Sequence, residues 1–245
     1  MTGLTKRKWF YIELPLTAYR DAWKLQTDLW TARWEKRLNT DVVLVLEHHP
    51  VFTLGRRGGM ENLTVSEDLL TNRGIPVIQV ERGGDITFHG PGQLVMYPII
   101  DLACTRLGVA DYVTMLEEVV IRIASAYGIA AGRNPLNRGI WVGNSKLGNI
   151  GIAVRRGISF HGVALNVNLS LEPFTWINPC GLKGIGITSL EKELGREVSV
   201  DEVRRELKRH FETVFGIELV MTDIQGLRID QAHPLENRPV EWSAG

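Results

Sequence analysis

A run of five apolar residues, Val42-Val-Leu-Val-Leu46, places the tightest constraint on how this chain folds. Its length is that of a β-strand, and its lack of polar residues indicates a strand that is buried on both faces. Other segments of strand length and composition are separated from it, and from each other, by turn residues. The strands predicted in this way are Trp9 to Leu14, Pro76 to Val80, Leu94 to Ile99, Gly139 to Val142, Asn149 to Val154 and Val163 to Val167.

Three segments carry apolar residues at helical spacing. One extends over Thr17 to Arg37, and a second over Asp111 to Tyr127, where Gly128 is suited to end it. A third begins with the capping-box pattern Ser199-Val-Asp-Glu202 and continues to Gly216. Helices and strands thus mix without the strict alternation of a doubly wound parallel sheet. The predicted fold is α/β of the α+β type, with a mixed β-sheet flanked by helices.

Length and composition narrow the organisation and the function classes. A chain of 245 residues favours one large domain, predicted over residues 1–184, with a small C-terminal subdomain over residues 185–245. The 28 basic residues balance the 28 acidic ones, so no broad positive field favours binding of nucleic acid. Neither a secretory signal nor a run of roughly 18 apolar residues is present, so no membrane partner is expected. Two cysteines are too few for a disulfide framework, which favours a reducing, cytoplasmic location.

The sequence predicts no metal site. His48 and His49 are adjacent, and neighbouring side chains on a strand point to opposite faces, so the two imidazoles are poorly placed to ligate one ion. No cluster of cysteine and histidine residues has the spacing of a zinc site.

A glycine-rich segment, Glu81-Arg-Gly-Gly-Asp-Ile-Thr-Phe-His-Gly-Pro-Gly-Gln93, gives the strongest local signal for a binding site. Glycine at such density indicates positive φ angles or close approach of the backbone to a ligand. A plain hairpin loop would also contain glycines, but it would not need Arg82, Thr87, His89 and Gln93 between them. The segment has neither the Gly-Lys-Ser/Thr of a phosphate-binding P-loop nor the spacing of a dinucleotide fingerprint.

Cys180 is the candidate nucleophile. A single cysteine is more often a small buried apolar residue, and Cys104 fits that description. Cys180 differs because it lies between proline and glycine in Asn178-Pro-Cys-Gly181, a segment without periodicity in which a side chain is easily presented to a cleft. Taken alone, Lys146 would be interpreted as a solvated lysine in a turn, and His161 as a hydrogen-bonded histidine of an apolar strand.

Together these segments resemble the lipoyl(octanoyl) transferase family, itself similar to the biotin and lipoate ligase fold. The resemblance covers most of the chain, in the order Glu47-His-His-Pro-Val-Phe-Thr-Leu-Gly55, Arg82-Gly-Gly-Asp-Ile-Thr-Phe-His-Gly-Pro-Gly-Gln93, Lys146 to Gly151, Ser159-Phe-His-Gly-Val-Ala-Leu-Asn-Val-Asn168 and Ile177-Asn-Pro-Cys-Gly181. Its most specific elements are His-Gly-Pro-Gly-Gln and Asn-Pro-Cys-Gly.

The resemblance implies an activity and roles for particular residues. The activity is transfer of octanoyl from octanoyl-acyl carrier protein to a lysine of a lipoyl domain or of the glycine-cleavage H protein, without a cofactor. Cys180 falls on the position of the family's acyl-thioester nucleophile, and Lys146 on that of the lysine that lowers the pKa of the thiol. The implied substrate-binding residues are Arg82, Gly83, Gly84, Asp85, Ile86, Thr87, Phe88, His89, Asn149, Ile150, Gly151, Gly162, Val163 and Ala164.

The chain departs from the family pattern at Asn149, which is larger and more polar than the small residue expected there, and this affects the expected shape of the acyl pocket. Other functions remain open from sequence. An ATP-dependent ligase would activate a free acid, an amidotransferase would move the acyl group between two carrier proteins, and a non-catalytic acyl-binding protein would need neither Cys180 nor Lys146. The pairs Arg56-Arg57 and Arg155-Arg156 could receive an acidic carrier protein, although paired arginines are usually part of the solvated surface.

Overall fold

The computed structural model describes residues 6–135, 137–178 and 185–227 of the chain. Cys180 lies outside the described residues. Helices within these ranges are α1 (Tyr19–Trp34), α2 (Glu67–Asn72), α3 (Leu102–Thr105), α4 (Val109–Ala126), α5 (Leu190–Leu194) and α6 (Val200–Phe215). The strands are β1 (Lys8–Glu13), β2 (Val42–Leu46), β3 (Val51–Leu54), β4 (Val77–Gln79), β5 (Ile86–His89), β6 (Gln93–Ile99), β7 (Gly132–Asn134), β8 (Asn137–Val142), β9 (Ser145–Arg155), β10 (Ile158–Asn166), β11 (Gly186–Ile187) and β12 (Glu218–Met221).

Two sheets are formed by these strands. The larger has the order β12-β1-β2-β6-β10-β9-β8-β7, with β11 paired to β9. Its pairs β12–β1 and β1–β2 are parallel, whereas β2–β6, β6–β10, β10–β9 and β9–β8 are antiparallel. The smaller sheet has the order β4-β3-β5 and mixes both directions. The prediction of a mixed sheet is confirmed.

Helices cover both faces of the larger sheet. Ala22 and Leu29 of α1 pack with Leu44 on one face, while Leu116 of α4 and Leu207 of α6 belong to the apolar cluster on the other. All five residues of β2 are completely inaccessible to solvent, as predicted for a strand covered on both faces. Within the described ranges, none of the helices combines the length and apolarity needed to cross a lipid bilayer.

The chain after residue 185 contributes to the same core. β12 pairs with β1. The ring of Phe211 in α6 packs edge-to-face with that of Trp9, and the two ring centres are 6.0 Å apart. Helix α6 begins as its sequence predicts, because the Ser199 hydroxyl accepts a hydrogen bond from the amide of Glu202. It ends at Gly216, which has a left-handed conformation. The separately packed subdomain over 185–245 stays a prediction.

Candidate functional site

A cavity of about 420 Å³ lies between the glycine-rich segment and strands β9 and β10. Lys146 lines this cavity. So do all the predicted substrate-binding residues except Phe88: Arg82, Gly83, Gly84, Asp85, Ile86, Thr87, His89, Asn149, Ile150, Gly151, Gly162, Val163 and Ala164. Phe88 packs instead against Phe52 and Phe174 in the apolar cluster on the other side of β5. Tertiary structure thus joins three distant sequence segments around one cavity.

The glycine-rich segment rests directly on strand β9. The amide of Gly83 donates a 2.8 Å hydrogen bond to the carbonyl oxygen of Ile152, beyond the point at which β8 pairs with β9. A Cβ atom at Gly151 would lie 2.9 Å from the carbonyl oxygen of Gly83, so only glycine allows this approach. The interpretation that these glycines serve close backbone approach therefore holds for the pairing with β9. The Gly83 amide is occupied by that pairing and is not available to an acyl oxygen.

The β8–β9 pair has a register shift next to Lys146. Ile140 pairs with Gly148, but the next residue of β8, Trp141, pairs with Lys146, so β9 carries one extra residue. Such a bulge changes the alternation of side chains between the two faces. The bulge lies directly beside the candidate catalytic lysine, which lines the cavity.

The surroundings of Lys146 are partly aromatic and partly polar. Its Nζ lies 5.1 Å from the centre of the Trp141 ring and donates to Asn137 Oδ1 at 3.5 Å. Gly139 has a φ of +134°, and a Cβ atom at that position would lie 2.7 Å from Cε of Lys146. Gly139 thus leaves the space that the lysine side chain occupies.

Asn149, the residue at which the chain departs from the family pattern, joins the two sheets. Its Nδ2 lies 3.4 Å from Oγ1 of Thr87 on β5. Both residues also line, with Lys146, Ile177, Ile185 and Ile187 among others, a smaller neighbouring cavity. The side chain of Asn149 therefore links β9 to β5 through Thr87.

The two stretches of chain that flank residues 179–184 are both fixed near this site. The amide of Asn178 donates to the carbonyl oxygen of Asn62 at 2.8 Å, and Asn62 Nδ2 donates to both carboxylate oxygens of Asp85 at 3.0 Å. On the other flank, Ile187 pairs with Lys146, and the amide of Thr188 donates to the Lys146 carbonyl at 3.0 Å. The segment that carries Cys180 thus begins and ends beside residues of the cavity.

His89 is neutral and has both ring nitrogens engaged. Burial lowers the pKa of its imidazole well below the ordinary value. Nδ1–H donates to Gln93 Oε1 at 2.7 Å, since Gln93 Nε2 itself donates to Asn166 Oδ1 at 2.9 Å. Nε2 accepts from the Thr53 hydroxyl at 3.3 Å, and that hydroxyl in turn accepts from Arg82 Nη2 at 2.8 Å. These hydrogen bonds fix the orientation of the His89 ring, which suits a structural role in the wall of the cavity.

Sequence reasoning missed two residues at the buried end of the cavity. Tyr19 lies at the start of α1 and Tyr97 in the middle of β6, and both line the cavity with exposed fractions of 3% and 4%. Neither lies in a motif, and each continues the regular pattern of its own element, so no local pattern marks them as site residues. Their ring contacts with His89 and His161 arise only through tertiary packing.

Cys104 differs from its expected environment. The prediction that it is a small buried residue is wrong, because it is exposed on α3, away from the cavity. Its Sγ donates to the carboxylate of Asp101 at 3.2 Å, and this hydrogen bond raises the pKa of the thiol. Cys104 is therefore poorly suited to act as a nucleophile at neutral pH.

The family whose model matches this chain is described as the lipoyl protein ligase A/B catalytic domain, and the match covers residues 18–212. The chain therefore belongs to this family. It is 44% identical to an octanoyltransferase of Desulfotalea psychrophila, with 89% of this chain and 99% of the relative covered. It is 47% identical to an octanoyltransferase of Caldicellulosiruptor saccharolyticus, over 83% of this chain and 87% of the relative. Within the family the chain groups with these octanoyltransferases and is an acyltransferase.

Solved structures of lipoate ligases share the fold. A bipartite lipoate protein ligase from Thermoplasma acidophilum superposes with a TM-score of 0.70 at 18% identity, covering 91% of each chain. A lipoate-protein ligase A bound with ATP gives a TM-score of 0.69 at 18% identity, covering 92% of this chain and 93% of that one. The predicted fold, a lipoate ligase-like domain with a mixed sheet flanked by helices, is thereby confirmed.

Proposed function

We propose that this enzyme transfers an octanoyl group from a thioester on an acyl carrier protein to a lysine of a lipoyl domain, through an acyl-thioester on Cys180. The observation that carries the proposal is the position of Lys146 in the wall of a 420 Å³ cavity, paired with Ile187 just after the segment that contains Cys180. The proposed substrate-binding residues are those of the three segments that line the cavity.

Covalent reach supports pairing Cys180 with Lys146. Cys180 follows Asn178 by two residues, and an extended chain spans at most about 3.6 Å per residue, so the two Cα atoms are within about 7 Å of each other. Ile177, one residue earlier still, lines the smaller cavity together with Lys146. The described residue Ile177 thus supports the proposed pairing from the N-terminal side of the segment.

The first half-reaction needs a thiolate. A cysteine with an ordinary pKa of about 8.5 is only a few per cent thiolate at pH 7. In the proposed mechanism the ammonium of Lys146 stabilises the sulfur anion, which attacks the carbonyl carbon of the donor thioester. The carrier thiolate leaves, and it takes up a proton from water. A new thioester replaces the old one, so no ATP is consumed.

The second half-reaction needs a base. An acceptor lysine with a pKa near 10.4 is neutral in only about one molecule in 2,500 at pH 7. Acylation of Cys180 removes the anionic partner of Lys146, and a partly desolvated lysine releases its proton more readily. In the proposal, neutral Lys146 accepts a proton from the attacking amine as the new C–N bond forms. The C–S bond breaks, and Lys146 returns that proton to sulfur.

The proposed partners follow from the family and from the rim of the cavity. One of the ligases that share this fold was analysed with its E2 lipoyl domain, which supports lipoyl domains and the similar H protein as acceptors. Arg56 and Arg57 are exposed and line the cavity, where they suit an acidic carrier protein as donor. A cytoplasmic location belongs to the same proposal, since both donor and acceptor proteins are expected there.

Intact-mass measurement tests the proposal. After incubation with octanoyl-carrier protein, we expect wild type to gain one octanoyl group, Cys180→Ala to gain none and Cys104→Ala to gain one. The label on wild type should pass to a lipoyl domain added later. Normal acylation and turnover by Cys180→Ala would exclude the mechanism.

The ATP-dependent ligase makes a different prediction. It would release pyrophosphate when given ATP and octanoate, whereas the proposed transferase releases none. A stable adduct that never reaches a lipoyl domain would instead indicate a non-catalytic acyl-binding protein. Loading from a lipoyl-bearing protein but not from acyl carrier protein would indicate an amidotransferase.

A further inference from the structure

His161 has a conformation that turns its side chain toward the buried end of the cavity. Its φ is +54°, in the left-handed region that residues other than glycine seldom adopt. Neighbouring residues of a regular strand point to opposite faces. The rings of Phe160 and His161 nevertheless lie 5.0 Å apart on the same face of β10. The unusual backbone angle thus places an imidazole where regular alternation would not.

The end of the cavity at His161 is closed and polar. His161 and Tyr19 have exposed fractions of 1% and 3%, and the Tyr19 hydroxyl lies 3.5 Å from His161 Nδ1. On the other side of the imidazole, Nε2 lies 3.4 Å from a carboxylate oxygen of Glu81. Near Lys146 the cavity is lined by the exposed residue Arg138, whose neighbour Gly139 faces the lysine side chain. The cavity therefore has one open end and one closed end.

The strand register gives the length of the cavity from Asn149 to its closed end. Asn149 pairs with Ala164, and Ile152 pairs with His161, so the cavity follows β9 and β10 for three residues from the first pair to the second. At about 3.3 Å per residue this interval is about 10 Å. An extended octanoyl chain has seven carbon–carbon bonds and spans roughly 8 Å, given about 3.6 Å for every three bonds of an extended backbone.

We propose that His161, supported by Tyr19, closes the cavity at its buried end and so limits the length of the acyl chain that the enzyme accepts. This inference rests on the proposed function, in which the thioester forms at the Lys146 end. A longer chain would have to displace buried polar side chains that contact one another. A shorter chain would leave apolar volume unfilled, and each methylene that is not buried weakens binding by a factor of about four.

A series of donors tests this limit on the wild-type enzyme. The same carrier protein is charged with acyl groups of 4, 6, 8, 10 and 12 carbons, and the rate of adduct formation is measured by intact mass. We expect the rate to rise up to eight carbons and to fall at least tenfold by twelve. Equal rates for octanoyl and dodecanoyl groups would overturn the inference. The absence of an adduct at Cys180 with every donor would refute the proposed function instead.

Substitution at the closed end identifies the residue responsible. Asparagine tolerates the left-handed conformation and is shorter than histidine, so His161→Asn lengthens the cavity without forcing a backbone change. We expect the ratio of dodecanoyl to octanoyl loading to rise at least tenfold. The exposed residue His49 gives the matched control, and His49→Asn should leave the ratio unchanged.

Tyr19→Leu opens the same end from α1 and should raise the ratio in the same direction. It provides a second test if His161→Asn does not fold. If the ratio of dodecanoyl to octanoyl loading is unchanged in a variant that folds and still loads octanoyl, the closed end does not limit the length of the acyl chain.

Discussion

The ammonium of Lys146 lies 5.1 Å from the centre of the Trp141 ring, its cross-strand partner at the bulge in β9. An aromatic face stabilises a cation at this distance without neutralising it. The lysine is also held by Asn137 Oδ1 at 3.5 Å, which is a neutral acceptor. These two contacts contribute to the orientation of the ammonium.

Replacement of Lys146 by methionine should raise the pKa of the Cys180 thiol. An opposite charge within a few ångströms shifts a titrating group by about one to three units, and the variant removes that charge. We expect the midpoint of the pH profile for alkylation of Cys180 to move upward by at least one pH unit, measured in a Cys104→Ala background. Lys192→Met, on the exposed face of α5, serves as the control and should leave the midpoint unchanged. Equal midpoints in the two variants would show that Lys146 does not lower the pKa of the Cys180 thiol.

Gly139→Ala should lower acyl transfer through Lys146. The added Cβ atom would lie 2.7 Å from Cε of the lysine, so the side chain must move. We expect the rate of acylation to fall at least tenfold. Gly143→Ala is the matched control because Gly143 also has a positive φ, +55°, but has nothing within 4 Å of the added atom. It should lose about 1 kcal/mol of stability with little loss of activity. An equal loss of activity in the two variants would indicate that backbone strain, and not displacement of the Lys146 side chain, causes the loss at residue 139.

Replacement of Arg56 and Arg57 by alanine should weaken the use of carrier protein as donor. Both guanidinium groups are on the rim of the cavity, where they attract acidic surfaces at low ionic strength. We expect KM for octanoyl-carrier protein to rise about fivefold or more and its dependence on salt to become weaker. The value for a small thioester donor should change little.

The other arginine pair provides the comparison for that experiment. Arg155 lies 5.1 Å from the centre of the Trp30 ring and Arg156 lies 4.5 Å from that of Trp34, so both stack on aromatic residues of α1. Their replacement by alanine should lower Tm through loss of these contacts and leave KM for the carrier protein unchanged. An equal rise in KM for both double variants would indicate a diffuse charge effect rather than a docking site.

Acid should destabilise the fold through His48. Burial lowers the pKa of its imidazole to about 4, whereas an unfolded histidine titrates near 6.5. Between these values the unfolded state binds more protons than the native state, so stability falls as the pH falls. The loss amounts to about 1.4 kcal/mol per pH unit, or roughly 3 kcal/mol over the whole interval.

Urea unfolding at several pH values between 7 and 4 measures this loss. In His48→Gln the dependence of the free energy of unfolding on pH should be weaker by about the amount assigned to one histidine. His49→Gln, at the exposed neighbouring position, should behave as wild type. Parallel curves for wild type and His48→Gln would show that His48 is not the residue that titrates.

The amino-acid sequence by itself determined the regular framework of this protein. The apolar run Val42 to Leu46 predicts a strand buried on both faces, and all five residues are inaccessible to solvent. Helix α6 begins at Ser199 and ends at Gly216 as its caps predict, since capping depends on hydrogen bonds and dihedral angles within a few residues. The glycine-rich motif also predicts close backbone contact, and Gly83 makes it with Ile152.

Tertiary structure decided what the local pattern does not encode. The bulge beside Lys146 depends on the pairing of β8 with β9, and the left-handed angle of His161 breaks the alternation by which strand faces are assigned. Phe88 lies within the binding motif but faces an apolar cluster, and Cys104 is exposed although cysteines are usually buried. Each outcome depends on neighbours distant in sequence, because side-chain direction follows from strand register and packing rather than from residue type. The partnership of Cys180 with Lys146 remains a prediction of the sequence motifs.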